Sequence, residues 1–263
     1  MSDAHLTHER KKGFTARYAG SLKSVAASQR TGAADLQLGM LLTLIAGAMN
    51  AGGFLAVGQY TSHMSGIFSG MADNLALGAL GLFLVGLSAF LPFVFGAACS
   101  AILINWGRRR NLDSRYALPL LLEATLLLAF GLFGWLFSPA PIFVAMVIPW
   151  LCFIMGLQNA TVTKISGARM RTTHVTGIVT DIGIELGKSC YWNRIPEVPK
   201  VMADREKLRL LSLLLGSFFI GGVTGAIGFK MGGFLFSLPL ALLLLIVTGP
   251  SLAEGWPRHI KRA

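Results

Sequence analysis

Two histidines in matching surroundings are the residues whose types and spacing can do chemistry. His63-Met64-Ser65-Gly66-Ile67 returns as His174-Val175-Thr176-Gly177-Ile178. Upstream of each stands a second shared motif, Gly47-Ala48-Met49-Asn50-Ala51 and Gly156-Leu157-Gln158-Asn159-Ala160. An imidazole titrates near neutral pH and serves as gate, ligand or proton relay. The asparagines Asn50 and Asn159 offer donors and acceptors, as polar ligands or as partners for a helix break, and Ser65 and Thr176 add hydroxyls. Gly66 and Gly177 permit close approach. Downstream lie three acids, Asp73, Asp181 and Glu185. An ionisable group at membrane depth is costly and by default functional, so they are candidate proton acceptors. The candidate substrate- or ion-binding set is therefore Asn50, His63, Ser65, Gly66, Asp73, Asn159, His174, Thr176, Gly177, Asp181 and Glu185.

The elements that must position this set are membrane helices. The chain of 263 residues is 54% hydrophobic and 13% charged, against about 25% charged in soluble domains. Neither Leu36 to Ala72 nor Asn74 to Gly107 contains an Asp, Glu, Lys or Arg. A soluble fold cannot bury that much uninterrupted apolar chain, whereas a bilayer needs about 20 apolar residues per crossing. The expected fold is an all-α polytopic membrane protein. Its spans are expected at 36–57, 79–106, 116–137, 141–163, 208–230 and 233–250. Two shorter polar segments, 62–78 and 172–187, carry the histidines. They are expected to be partial helices, with Thr61-Ser62 and Thr172-Thr173 as N-caps. His63, Gly66, Gly70 and Asn74 share a helical face, as do His174, Gly177, Asp181 and Glu185. The small residues Gly66 and Gly70, and Gly183 and Gly187, are expected to let helices approach closely.

Charge decides between six and eight crossings. If both short segments fail to cross, every Lys and Arg except Lys230 falls on one side. Basic residues collect in cytoplasmic loops, so both termini are placed in the cytoplasm. The net charge of +11 then reads as contact with anionic headgroups, not with nucleic acid. The resulting organisation is a basic cytoplasmic tail (1–34), a transmembrane domain (35–250) and a C-terminal cytoplasmic tail (251–263). Within the transmembrane domain, the repeated motifs divide the chain into 36–137 and 141–250. Three crossings per unit is odd, so the second unit must be inverted relative to the first. Inverted repeats with partial helices are characteristic of secondary transporters, whose sites lie at the repeat interface. Channels with half-helices share this plan.

Other chemistries find no support. There is no Walker loop, no Gly-rich dinucleotide turn and no nucleophile elbow. The histidines come from different segments and no cysteine pair accompanies them, so neither a metal nor another cofactor is expected. Glu123, inside span 116–137, reads as a polar contact, and Trp150 finds no role.

These motifs also carry a resemblance. Gly47 to Ala51, His63 to Gly66 and Met71-Ala72-Asp73-Asn74-Leu75-Ala76-Leu77-Gly78, with Gly156 to Ala160 and Thr172 to Gly177, resemble the YoaK-like family of bacterial inner-membrane proteins. The resemblance spans roughly residues 36–250 and implies a cytoplasmic-membrane location and a domain of unknown function. Asn50 stands where that family commonly has Asp, and Ile67 where it has Asn, which shifts the ionisable load onto His63, Asp73, His174, Asp181 and Glu185. The expected function is a carrier or channel for a small polar solute or anion, passive or proton-coupled, and not an enzyme. The alternatives are a non-transporting scaffold or regulatory subunit whose basic tails recruit partners, and an eight-span protein of unknown role; self-association is left open.

Overall fold

The computed structural model describes residues 32–110, 112, 115–138, 140–167, 172–194 and 198–255. The basic tail expected over 1–34 and the C-terminal tail expected over 251–263 lie largely outside them. The described chain is all helical. Its α-helices are α1 (Gly32–Val57), α2 (Met64–Ala76), α3 (Leu80–Arg109), α4 (Ala117–Phe137), α5 (Pro141–Ile165), α6 (Val175–Ser189), α7 (Arg205–Gly232) and α8 (Ser237–Gly255). A 3₁₀ turn at Gly233–Phe236 separates the last two.

Five apolar stretches are long enough to cross a bilayer: Leu36–Ala56, Leu80–Arg109, Ala117–Phe137, Pro141–Ile165 and Arg205–Gly249. The chain is thus a multi-pass membrane protein by helix length and hydropathy. The fifth stretch is 45 residues long and takes in α7 and most of α8, which the turn at Gly233–Phe236 separates. With 13 and 15 residues, α2 and α6 reach about 20 Å and 22 Å. Both fall short of about 30 Å of hydrocarbon.

Contacts between helices fix their directions. Leu44, Ala48 and Gly52 of α1 meet Gly221, Gly225 and Phe229 of α7 in the same order, so these helices run parallel. The α3 and α5 helices are also parallel: Phe93 meets Gly156, and Ser100 Oγ lies 2.8 Å from Thr161 Oγ1. Reversed order marks the antiparallel pairs. Leu42 and Gly53 of α1 face Gln158 and Leu151 of α5. Glu123 and Leu126 of α4 face Gln158 and Trp150 of α5. Leu127 and Gly134 of α4 face Ser237 and Phe234. Successive long helices therefore alternate in direction.

Glycine sets the tightest crossings. A methyl group on Gly96, Gly156 or Gly221 would overlap a backbone carbonyl oxygen, of Phe153, Phe93 or Leu44 respectively. This corrects the expectation for the short segments. Gly70, Gly183 and Gly187 have no non-local atom within 4 Å of such a methyl, and Gly66 is covered by its own neighbour His63. The close-approach glycines belong to the long helices because helix association in lipid relies on packing, which small residues improve.

The main core joins α1, α4, α5, α7 and α8 around Leu42, Met49, Leu127, Leu151 and Leu214. Trp150 anchors its rim: its indole Nε1 donates to Leu126 O at 3.2 Å, and its ring packs near Phe130 and Phe133. A smaller cluster of Ile67, Met71, Ala89 and Cys152 seats α2 against α3 and α5.

Candidate functional site

Each short helix begins by folding back into the molecule. The α1 and α5 helices are followed by Gly58 and Gly167, with φ of 72° and 59°, a left-handed conformation that glycine takes without a Cβ penalty. The chain then returns alongside the helix it has just left. Ser62 N and Ser62 Oγ donate to Asn50 Oδ1 at 3.2 Å and 2.9 Å. Thr172 Oγ1 and Thr173 Oγ1 donate to Asn159 Oδ1 at 3.1 Å and 3.0 Å. Asn50 lies seven residues before the end of α1 and Asn159 six before the end of α5, so the contacts are about 9–10 Å inside those ends. Asn159 is itself fixed by donating from Nδ2 to Met155 O at 2.9 Å. The asparagines act as partners of a helix break, and their acceptor oxygens are occupied.

The expected caps move by one residue. His63 and His174 are the N-caps of α2 and α6, with φ, ψ of −87°, 65° and −87°, 56°, and neither makes a side-chain capping bond. Ser62 and Thr173 serve the asparagines instead. Each imidazole folds over the glycine three residues on, His63 over Gly66 and His174 over Gly177. The first helix-type bonds come from Ile67 N to His63 O and Ile178 N to His174 O. The preceding amides of each helix are the usual orphan donors of a helix start.

Both starts face one cleft. Its volume is about 820 Å³, and its lining includes Asn50, Ser62, His63 and Ser65 with Asn159, Thr173, His174 and Thr176. Phe93 of α3 and Phe218 of α7 complete its walls, and Tyr60, stacked on Phe54 at 4.6 Å, adds an aromatic edge. Sequence reasoning missed the three aromatic residues at the cleft. Nothing in the sequence marks Phe93 or Phe218, because each is the partner of a motif glycine, Gly156 or Gly47, and that pairing is non-local. Two helix N-termini, two imidazoles and several hydroxyls give this cleft donors for an anionic or polar guest.

The remaining candidates lie elsewhere. Gly66 joins Gly70 and Asn74 along a second cleft, of about 450 Å³, which His63 also borders. Gly177 is not among the residues lining the main cleft. Asp73 is exposed near the end of α2. Asp181 and Glu185 meet α7. Lys207 Nζ lies 3.4 Å from Asp181 Oδ1 and 3.7 Å from Glu185 Oε1, and Lys188 Nζ is 2.9 Å from Glu185 Oε1. Glu185 is 1% exposed and its Oε2 accepts from Asp204 N at 2.9 Å. That amide, and then Lys188, hold its carboxyl below the ordinary range. Asp204 in turn caps α7, accepting from Lys207 N at 2.9 Å. These acids lock α6 to α7 and are not part of the cleft. No cluster of three or more His, Cys, Asp or Glu suited to a metal occurs among the described residues.

Long apolar helices, two short helices and a polar cleft between their starts define a polytopic membrane protein. The family described as "Protein of unknown function (DUF1275)" matches residues 38–249, and the chain belongs to that family, which is the YoaK-like one. Comparison with curated proteins and with solved structures gave no match.

Proposed function

We propose that the protein is a carrier or channel for a small polar solute or anion, passive or proton-coupled. The observation that carries this reading is the cleft itself, to which both copies of the motif bring the same Asn, hydroxyl and His set. Backbone that does not span a membrane must be buried in protein or line a wet cavity, and both partial helices start at this one. Two inverted units, 36–137 and 141–250, account for the pairing. Related helices α1 and α5 are antiparallel, as are α4 and α8. The crossing of α1 with α7 has its counterpart in that of α5 with α3. Counting α7 and α8 as separate crossings gives six spans. The ends of α3 and α5 and the start of α7 then share a side that holds Arg108, Lys164 and Arg205, while Lys230 lies opposite. Basic loops favour the cytoplasm, so that side is assigned inward, in a bacterial inner membrane.

Solute flux into proteoliposomes, screened over small anions and neutral polar solutes, tests the function. Flux that falls in His63→Ala and His174→Ala supports it. Flux indifferent to both removes the cleft from the mechanism, and no flux for any solute favours a scaffold. A topology reporter after Arg108 tests orientation; an exterior signal there overturns the inward assignment.

A further inference from the structure

The core contains a polar pair that the cleft does not use. Glu123, in the second turn of α4, is fully buried, and so is Gln158 of α5. Gln158 Nε2 donates to Glu123 Oε1 at 2.8 Å and to Leu42 O at 3.1 Å. The oxygens left over, Glu123 Oε2 and Gln158 Oε1, are both buried acceptors without a partner among the described residues. The two side chains are thus joined through one hydrogen bond and lack one donor between them.

Among the described residues the surroundings offer no cation. No described Lys, Arg or His forms an ion pair with Glu123. The α4 helix holds no charged residue besides Glu123, and the nearest basic residue in sequence, Arg115, precedes the helix by two residues and stands eight residues, or about 12 Å, before Glu123. The α5 helix carries Lys164, exposed beyond Gln158, and Cys152, which packs toward α2 and α3. The α3 helix carries Arg108 and Arg109 at its end, with Arg110 as the cap. The described parts of α1 and α8 that pack here, Leu36–Ala56 and Ser237–Gly249, hold no charged residue. An ionised carboxylate buried without a cation is strongly disfavoured, and in practice such a group neutralises. A carboxylic acid and a primary amide are complementary: the acid O–H donates to the amide oxygen while the amide N–H donates to the acid carbonyl.

We propose that Glu123 and Gln158 form a proton-binding site, with the proton on Glu123 Oε2 donated to Gln158 Oε1. One proton satisfies both leftover acceptors. The site adjoins the cleft through the chain, because Gln158 is followed directly by Asn159, which holds the start of α6. Loss of the proton leaves a buried charge on Glu123 and leaves Gln158 Oε1 without a donor, while Gln158 Nε2 still donates to Glu123 Oε1, a change felt on α5 beside the cleft. A role in coupling solute movement to protons rests on the transport reading; the proton occupancy does not.

Infrared spectroscopy of the full chain in liposomes tests the site through the C=O stretch of protonated carboxylic acids, which carboxylates do not share. At pH 7 the wild-type protein is expected to show this band, and Glu123→Gln to lose it. Gln158→Leu is expected to keep the band and shift it to higher frequency, because the acid loses its partner. Absence of the band in the wild type, persistence in Glu123→Gln, or an unmoved band in Gln158→Leu overturns the proposal. A band with no solute flux overturns the transport reading and leaves the proton site standing. Flux without the band overturns the proton site alone.

Discussion

Replacing Asn159 with alanine tests what holds the start of α6 in place. The substitution leaves α5 a better helix former but removes the acceptor of Thr172 Oγ1 and Thr173 Oγ1, at 3.1 Å and 3.0 Å. A side-chain hydrogen bond between membrane helices is worth about 0.6 kcal/mol on average and up to about 1.7 kcal/mol. Thr172 is almost wholly buried, and a buried hydroxyl left without a partner adds its own penalty. The two losses together come to about 1–2 kcal/mol. Since about 1.4 kcal/mol is a factor of ten, local opening of the first turn of α6 should rise roughly tenfold. Hydrogen exchange read by mass spectrometry reports such opening directly. Peptides covering 172–180 should exchange faster in the variant while those from α4 and α8 keep their rates. Asn50→Ala should do the same to residues 62–67, through Ser62. The reasoning fails if 172–180 exchanges at the wild-type rate, or if the acceleration spreads evenly over the chain.

Gly156→Leu and Gly96→Leu place a side chain against a backbone carbonyl, where overpacking costs about 1–3 kcal/mol or more; thermal stability in detergent should fall clearly for both and stay near wild type for Gly183→Leu, which meets open space. Glu185 is held below the ordinary carboxylate range, first by the Asp204 amide. Its contribution to stability is therefore complete at neutral pH and disappears as the pH falls through that lowered value. Glu185→Gln should be less stable than wild type at pH 7, and acidification should close the gap in unfolding temperature. In transport assays, the double change His63→Ala with His174→Ala should reduce flux at least as much as either single change, since both rings border one cleft; a double variant with wild-type flux would place the pathway elsewhere.

The long helices were legible because uninterrupted apolar chain has few other uses. The two short helices were legible because polar residues interrupt that pattern and because the motifs recur. The recurrence of the Asn and His motifs marked the residues that border the cleft, but not which hydroxyl each asparagine would take. Partner choice was much harder to read. Lipid tails and protein neighbours are equally apolar, so periodicity does not say which helix face packs against protein. For that reason the glycines of α2 and α6 suggested close approach, whereas the crossings form at Gly96, Gly156 and Gly221. Asp181 and Glu185 have the sequence character of proton acceptors, but Lys207, on the next helix, lies beside both. Trp150 had no reading because its acceptor, Leu126 O, belongs to a different helix. The shift of the caps to His63 and His174 has the same origin: the hydroxyls were claimed by asparagines across the turn.

The parallel embrace of α1 by α7 has a consequence for biogenesis. The α1 helix must wait for the synthesis of α7, about 150 residues later, before its glycine-bearing partner surface exists, and α3 must likewise wait for α5. A fragment stopping after α4 would hold four helices, two of which lack the neighbours that close their tightest seams, and should be degraded or captured by a chaperone. The seam between α1 and α7 therefore closes late, only once α7 lies beside a helix made long before it.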